Sequence, residues 1–177
     1  MSLFLLLGLL GMILFLWFKR PILDKQAENN KLVDKLSKAT WFQSFWFAGL
    51  FLFCMNGVLF FLAGLGLFIL GYFTIPFVHL LVMVLAVCVS IYLWISVNKA
   101  WQGTKSNRLK MSIIGSSFYL ILTFIFAYLY ITLEPTYPGE DIFMAAIGLF
   151  FAIIVTLTAS ITCFIITGFG KKKVANS

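Results

Sequence analysis

The chain has 177 residues, 62% of them hydrophobic and only 11% charged, with 21 Phe. A soluble domain is roughly half apolar and about a quarter charged. No single soluble core could hide so many phenylalanines, so the composition excludes a soluble globular domain and points to one integral membrane domain, 1–177. The formal net charge of +7 does not point to nucleic acid, because the basic residues border apolar runs and lack interleaved exposed aromatics.

Five apolar runs follow in chain order, at about 3–18, 45–71, 77–98, 111–133 and 142–169. The expected fold class is therefore all-α: a polytopic transmembrane helical bundle of five spans, a short N-terminal anchor followed by four long helices. A helix rises about 1.5 Å per residue against a hydrocarbon core of about 30 Å, so the four longer runs reach across. The first run has no basic residue before it and is followed by Lys19, Arg20 and Pro21. That order reads as an uncleaved anchor rather than a signal peptide.

Loop charge sets the threading. Six basic residues lie from Lys19 to Lys38, four from Lys99 to Lys110, and Lys171, Lys172 and Lys173 close the chain. The loop 134–141 holds Glu134, Glu140 and Asp141 and no basic residue. The positive-inside rule then gives an N-out, C-in topology. Trp17, Trp41, Trp46, Trp94 and Trp101 all fall near the basic side, at the expected interface. Within the cytoplasmic loop 19–43, Leu32, Val33 and Leu36 share one face of a short amphipathic helix. Asp34 and Lys38 stand four apart as an ion pair of about 0.2–0.5 kcal/mol. Such a piece lies on the inner leaflet or docks a partner.

The long runs each carry one small or polar stripe. In the second, Gly49, Asn56 and Ala63 form a row beside Gly57, Gly64 and Gly71. The third carries His79, Met83, Ala86 and Ser90, and the fourth Ser112, Ser116, Tyr119, Thr123, Ala127 and Tyr130. The fifth carries Ala145, Gly148, Ala152, Thr156, Ala159, Cys163 and Thr167. Small side chains let helix backbones approach, and hydroxyls can bond across helices. The stripes are expected to face inward, or in part another protein.

Groups able to do chemistry are few. The long runs contain no Asp, Glu, Lys or Arg, which argues against a proton-coupled pump and an intramembrane carboxylate protease. His79 is the only histidine and lies near the outer surface, bonded to a neighbour or to water, with a ligand or pH-sensing role as the alternative. Asn56 is the most polar group deep in a run and needs partners for its amide. It serves as an interhelical clamp or shapes a small cavity with Gly57 and Tyr119. Cys54, Cys88 and Cys163 show no metal or redox spacing and read as small buried thiols. Glu134, Tyr137, Glu140 and Asp141 form an outer-loop recognition candidate, although Glu140 and Asp141 also suit the start of the fifth helix, where negative charge is favoured.

No Gly-rich phosphate loop, HExxH or GxSxG motif occurs. No catalytic residue, cofactor or metal is expected. The expectation is a non-catalytic subunit, assembly, immunity or regulatory protein. It would work through helix contacts with another membrane protein or with its own copies in a lipid bilayer. A small oligomeric transporter or channel for an uncharged or lipid-like solute is the alternative. The absence of N-x-S/T sites and the small size fit a bacterial cytoplasmic membrane.

Overall fold

The computed structural model describes residues 31–72, 78–135 and 141–169. Among them the chain is all-helical. Five α-helices occur: α1 (Lys31–Lys38), α2 (Phe45–Tyr72), α3 (Val78–Ala100), α4 (Lys105–Ile131) and α5 (Phe143–Gly168). A single 3-10 turn, Thr40–Gln43, joins α1 to α2. The apolar run 3–18 lies outside the described residues, as do Tyr137 and Glu140.

Helices α2 to α5 are long and apolar enough to cross a membrane. Each is an apolar run free of proline. In hydrocarbon only a helix satisfies every backbone N–H and C=O within one segment. Their lengths of 28, 23, 27 and 26 residues correspond to about 35–42 Å. The observed bounds match the expected runs closely except at the start of α4. That helix begins six residues earlier, at Lys105, because Thr104 caps it: its hydroxyl accepts the N–H of Asn107 at 3.3 Å. An N-cap of this kind satisfies one of the helix's orphan donors.

The other ends have equally local causes. α4 stops at Ile131, where Thr132 bonds back to the carbonyl of Tyr128 through both its N–H and its hydroxyl. Pro135 follows, and the residue before a proline resists helical geometry. At the start of α5, Asp141 accepts the N–H of Phe143 at 2.9 Å, a carboxylate at the positive end of the helix dipole.

The four long helices alternate in direction and form a ring. α4 packs against α5 and α2, and α3 closes the ring against α2 and α5. One end of this ring carries Lys38, Lys99, Lys105 and Lys110; the other carries Glu134 and Asp141. We call these the basic and the acidic end. Side-chain burial is concentrated in the half toward the basic end: Ala48 to Asn56, Ser90 to Ala100, Arg108 to Tyr119 and Thr156 to Gly168. Toward the acidic end the same helices are mostly half-buried or exposed.

An aromatic collar plugs the basic end. Phe42 is fully buried and meets Trp41, Phe51 and Trp101 edge-on, with ring centroids 5.8, 5.9 and 6.5 Å away. Such pairs contribute about 0.5–1.5 kcal/mol each beyond area burial. Trp101 lies so close over Gly103 that a Cβ there would come within 2.6 Å of the indole ring. Two amides tie the collar to the helices. Gln43 donates to the carbonyls of Ser37 and Ala100 and accepts the N–H of Gln102. Asn98 donates to the carbonyls of Ile166 and Thr167, which lie in the last turn of α5, where the helix supplies no partner.

The short helix α1 packs its Val33 and Leu36 face against this core, and its Asp34–Lys38 pair forms at 2.8 Å on the exposed side. Trp94 and Trp101 are buried inside the bundle, while Trp41 and Trp46 stay exposed. Of the tryptophans expected at the interface, Trp17 lies outside the described residues, Trp41 and Trp46 face outward, and Trp94 and Trp101 turn inward, Trp94 deep enough to meet Asn56. Cys54 and Cys88 are likewise exposed, and only Cys163 is buried. They sit on faces turned away from the ring, where a thiol is simply a small apolar group.

Candidate functional site

The centre of the buried half is a polar knot around Asn56, which is 0% exposed. From α2 its amide reaches the other three long helices. It donates to the carbonyl of Gly115 on α4 at 3.0 Å and to the sulfur of Cys163 on α5 at 3.7 Å. Its oxygen accepts the indole N–H of Trp94 on α3 at 2.8 Å. Both amide protons and one acceptor site are thus engaged, which is what an asparagine far from water needs. An unsatisfied polar group there costs about 1–3 kcal/mol.

Close backbone approach makes this reach possible. A Cβ on Gly115 would lie 2.2 Å from Leu52, and one on Gly49 would lie 2.8 Å from Cβ of Ile114. Leu52 and Ile114 act as knobs filling the gaps that the two glycines leave between α2 and α4. Around the knot, Tyr119 stands edge-on to Trp94 with centroids 6.0 Å apart and turns its phenol toward Ser90 of α3. Gly57 lies against the ring of Phe118, which would be 3.4 Å from an added Cβ.

The hydroxyls divide into two kinds. Most bond back to a carbonyl of their own helix: Ser90 to Ala86, Ser112 to Arg108, Thr156 to Ala152 and Thr167 to Cys163. Two contacts among the described residues join α4 and α5. Thr123 meets the hydroxyl of Thr156 at 3.0 Å, and Ser160 donates to the carbonyl of Ser116 at 3.3 Å. Back-bonding satisfies a hydroxyl with no neighbour at all, so a hydroxyl stripe marks a helix face without guaranteeing a bridge.

Asn56, Ser90, Ser116, Tyr119, Thr123 and Thr156 therefore gather in one region, with Gly57 at its edge and Ala152 half-buried above it. Three other positions do not join them. Gly64 and Gly148 are exposed, and among the described residues outside their own helix no atom lies within 4 Å of where a Cβ would stand. His79 is exposed near the acidic end of α3. Glu134 is exposed, and Asp141 is exposed but bonded to its own helix start. Among the described residues no group of three or more His, Cys, Asp or Glu is placed to hold a metal ion.

Sequence reasoning missed several members of the knot. Trp94 reads as interfacial from its amphipathic ring, yet Ser90, Trp94 and Asn98 stand four apart and share one face of α3. That row was the available signal. Gly115 sits between Ser112 and Ser116 and could have been read with them. Arg108 is 6% exposed and points a guanidinium nitrogen at the carbonyl of Trp101, 3.4 Å away. Its basic charge between Lys99 and Lys110 reads as loop, whereas the cap at Thr104 starts α4 ahead of it.

The fold and the knot together define a class: an all-helical chain with the build of a membrane protein, four helices long and apolar enough to span, clamped at one end by polar contacts. Comparison with protein-family models, with curated proteins and with solved structures returned no match. The functional reading therefore rests on the arrangement itself.

Proposed function

We propose that this is a non-catalytic, multi-pass protein of a cell membrane that works by presenting helix faces to another membrane protein or to further copies of itself. In this reading the run 3–18 is a fifth span, the N-terminus is outside, and the basic end faces the cytoplasm of a bacterial cell. The role fits a subunit, an assembly factor, or an immunity or regulatory protein. The polar groups of the knot are consumed in holding the helices together, which favours a scaffold over a reaction centre.

The observation that carries the proposal is the open half of the bundle. There, among the described residues and apart from their own helix, Gly64, Gly71 and Gly148 meet nothing within 4 Å of an added Cβ. A glycine in a lipid-bathed helix contributes most where another backbone comes close. The acidic-end faces of α2 and α5 are therefore the contact surfaces in this reading.

The test places a photoreactive residue at Gly64 or at Gly148 in native membranes, with Phe61, 69% exposed on α2, as the control position. Discrete protein adducts from the two glycine positions, absent from the control, are the expected result. Adducts to lipid alone at all three positions, together with a strictly monomeric protein in mild detergent, would overturn the proposal.

A further inference from the structure

At the basic end, outside the polar knot, an open groove of about 260 Å³ remains where α1 meets α2 and α3. Leu36, Phe51, Met55 and Leu93 form its walls, with Trp41 and Lys35 among its exposed lining residues. None of these side chains takes part in the knot. Met55 lies ten residues after the start of α2 at Phe45, a distance of about 15 Å along the axis. That is the depth of one leaflet of a hydrocarbon core about 30 Å thick.

Charge indicates which occupant fits. The helix forming the groove's mouth reads KLVDKLSK, with Asp34 its only acid. Lys38 takes that carboxylate at 2.8 Å. Among the described lining residues Lys35 is the one cation, at the edge of a mostly apolar channel, and the Ser96 hydroxyl, which also lines it, is bonded to the carbonyl of Tyr92. A wholly apolar partner would gain nothing from Lys35, and a polar peptide would find no partners along the walls. A molecule with one anionic head and a long aliphatic tail matches both parts. Basic segments at the membrane surface draw anionic lipids in this way.

We propose that the groove seats one acyl chain of an anionic phospholipid, the chain lying along Phe51, Met55 and Leu93 and the headgroup phosphate pairing with Lys35. The proposal needs the chain to sit in a bilayer but does not depend on any protein partner. Trp41 lines the groove and is 48% exposed, whereas Trp94 and Trp101 are each 3% exposed, so Trp41 can report occupancy.

The experiment uses the full chain carrying Trp17→Phe and Trp46→Phe, reconstituted in phosphatidylcholine vesicles. Chain-brominated phosphatidylglycerol or chain-brominated phosphatidylcholine is added at the same low mole fraction, and Trp fluorescence is read. A several-fold stronger quenching by the brominated anionic lipid is expected, abolished by Lys35→Glu and retained by Lys35→Arg. Equal quenching by the two lipids would show only the ordinary lipid annulus and would overturn the proposal. No quenching by either would show the groove filled by something else, such as the chain's own run Leu3–Phe18 or a second copy, and would overturn it equally.

Discussion

The two halves of the helix ring are made from similar residues and meet different surroundings. On α2, Gly49 and Asn56 are buried while Gly64 and Gly71, further along the same helix, are exposed. On α5, Thr156, Cys163 and Thr167 are buried while Ala145 and Gly148 are exposed. What differs is the opposite surface. Toward the basic end Leu52 and Ile114 press into the glycine gaps and Asn56 supplies a polar anchor to three helices. Toward the acidic end, among the described residues, Gly64, Gly71 and Gly148 face no such knob, and Gly66 meets only Val82, in ordinary contact. A small-residue stripe thus shows which side of a helix can be approached closely, and the contact itself needs a matching projection from the other side.

The comparison can be broken most sharply with one substitution in each half. Gly115→Val drives new atoms into Leu52 and is expected to destabilise the bundle by about 3 kcal/mol, as overpacking of a tight core does. Gly148→Val adds the same atoms to open space and is expected to stay within about 0.5 kcal/mol of the parent chain in its reversible unfolding in bicelles. Equal losses from the two would mean that the halves do not differ. A smaller effect sharpens the boundary between them. Thr123→Val removes the hydroxyl contact to Thr156 without changing shape, and should cost about 0.6 kcal/mol, the average for hydrogen bonds between membrane helices. Thr158 bonds only to the carbonyl of Ile154 on its own helix, so Thr158→Val serves as the control, with little or no change expected.

Much of the architecture was legible in the chain. The four long helices follow from apolar length alone, and Asn56 stood out because an amide so far from any charged loop must find partners. The short helix and its Asp34–Lys38 pair were legible from spacing. What was not legible depended on depth and on partners distant in sequence. Trp94 looked interfacial because tryptophan is amphipathic, but its indole N–H is drawn inward by Asn56, 38 residues away in sequence. Gly64 and Gly115 are indistinguishable by composition, and only the position of Leu52 makes one a contact and the other open surface. Cys54 and Cys88 read as buried because a membrane chain's apolar residues face either protein or lipid, and hydrophobicity alone does not tell the two apart.

The account stands on Asn56 joining four helices, and its contact with Trp94 is the most direct place to test it. A double-mutant cycle of Asn56→Leu and Trp94→Phe, read by reversible unfolding in bicelles, isolates that one contact from the packing each side chain also supplies. The account predicts a coupling of about 0.6–1.7 kcal/mol, the range seen for polar contacts between membrane helices. Strictly additive losses would mean that the two side chains do not meet, and the clamp at the basic end would have to be abandoned.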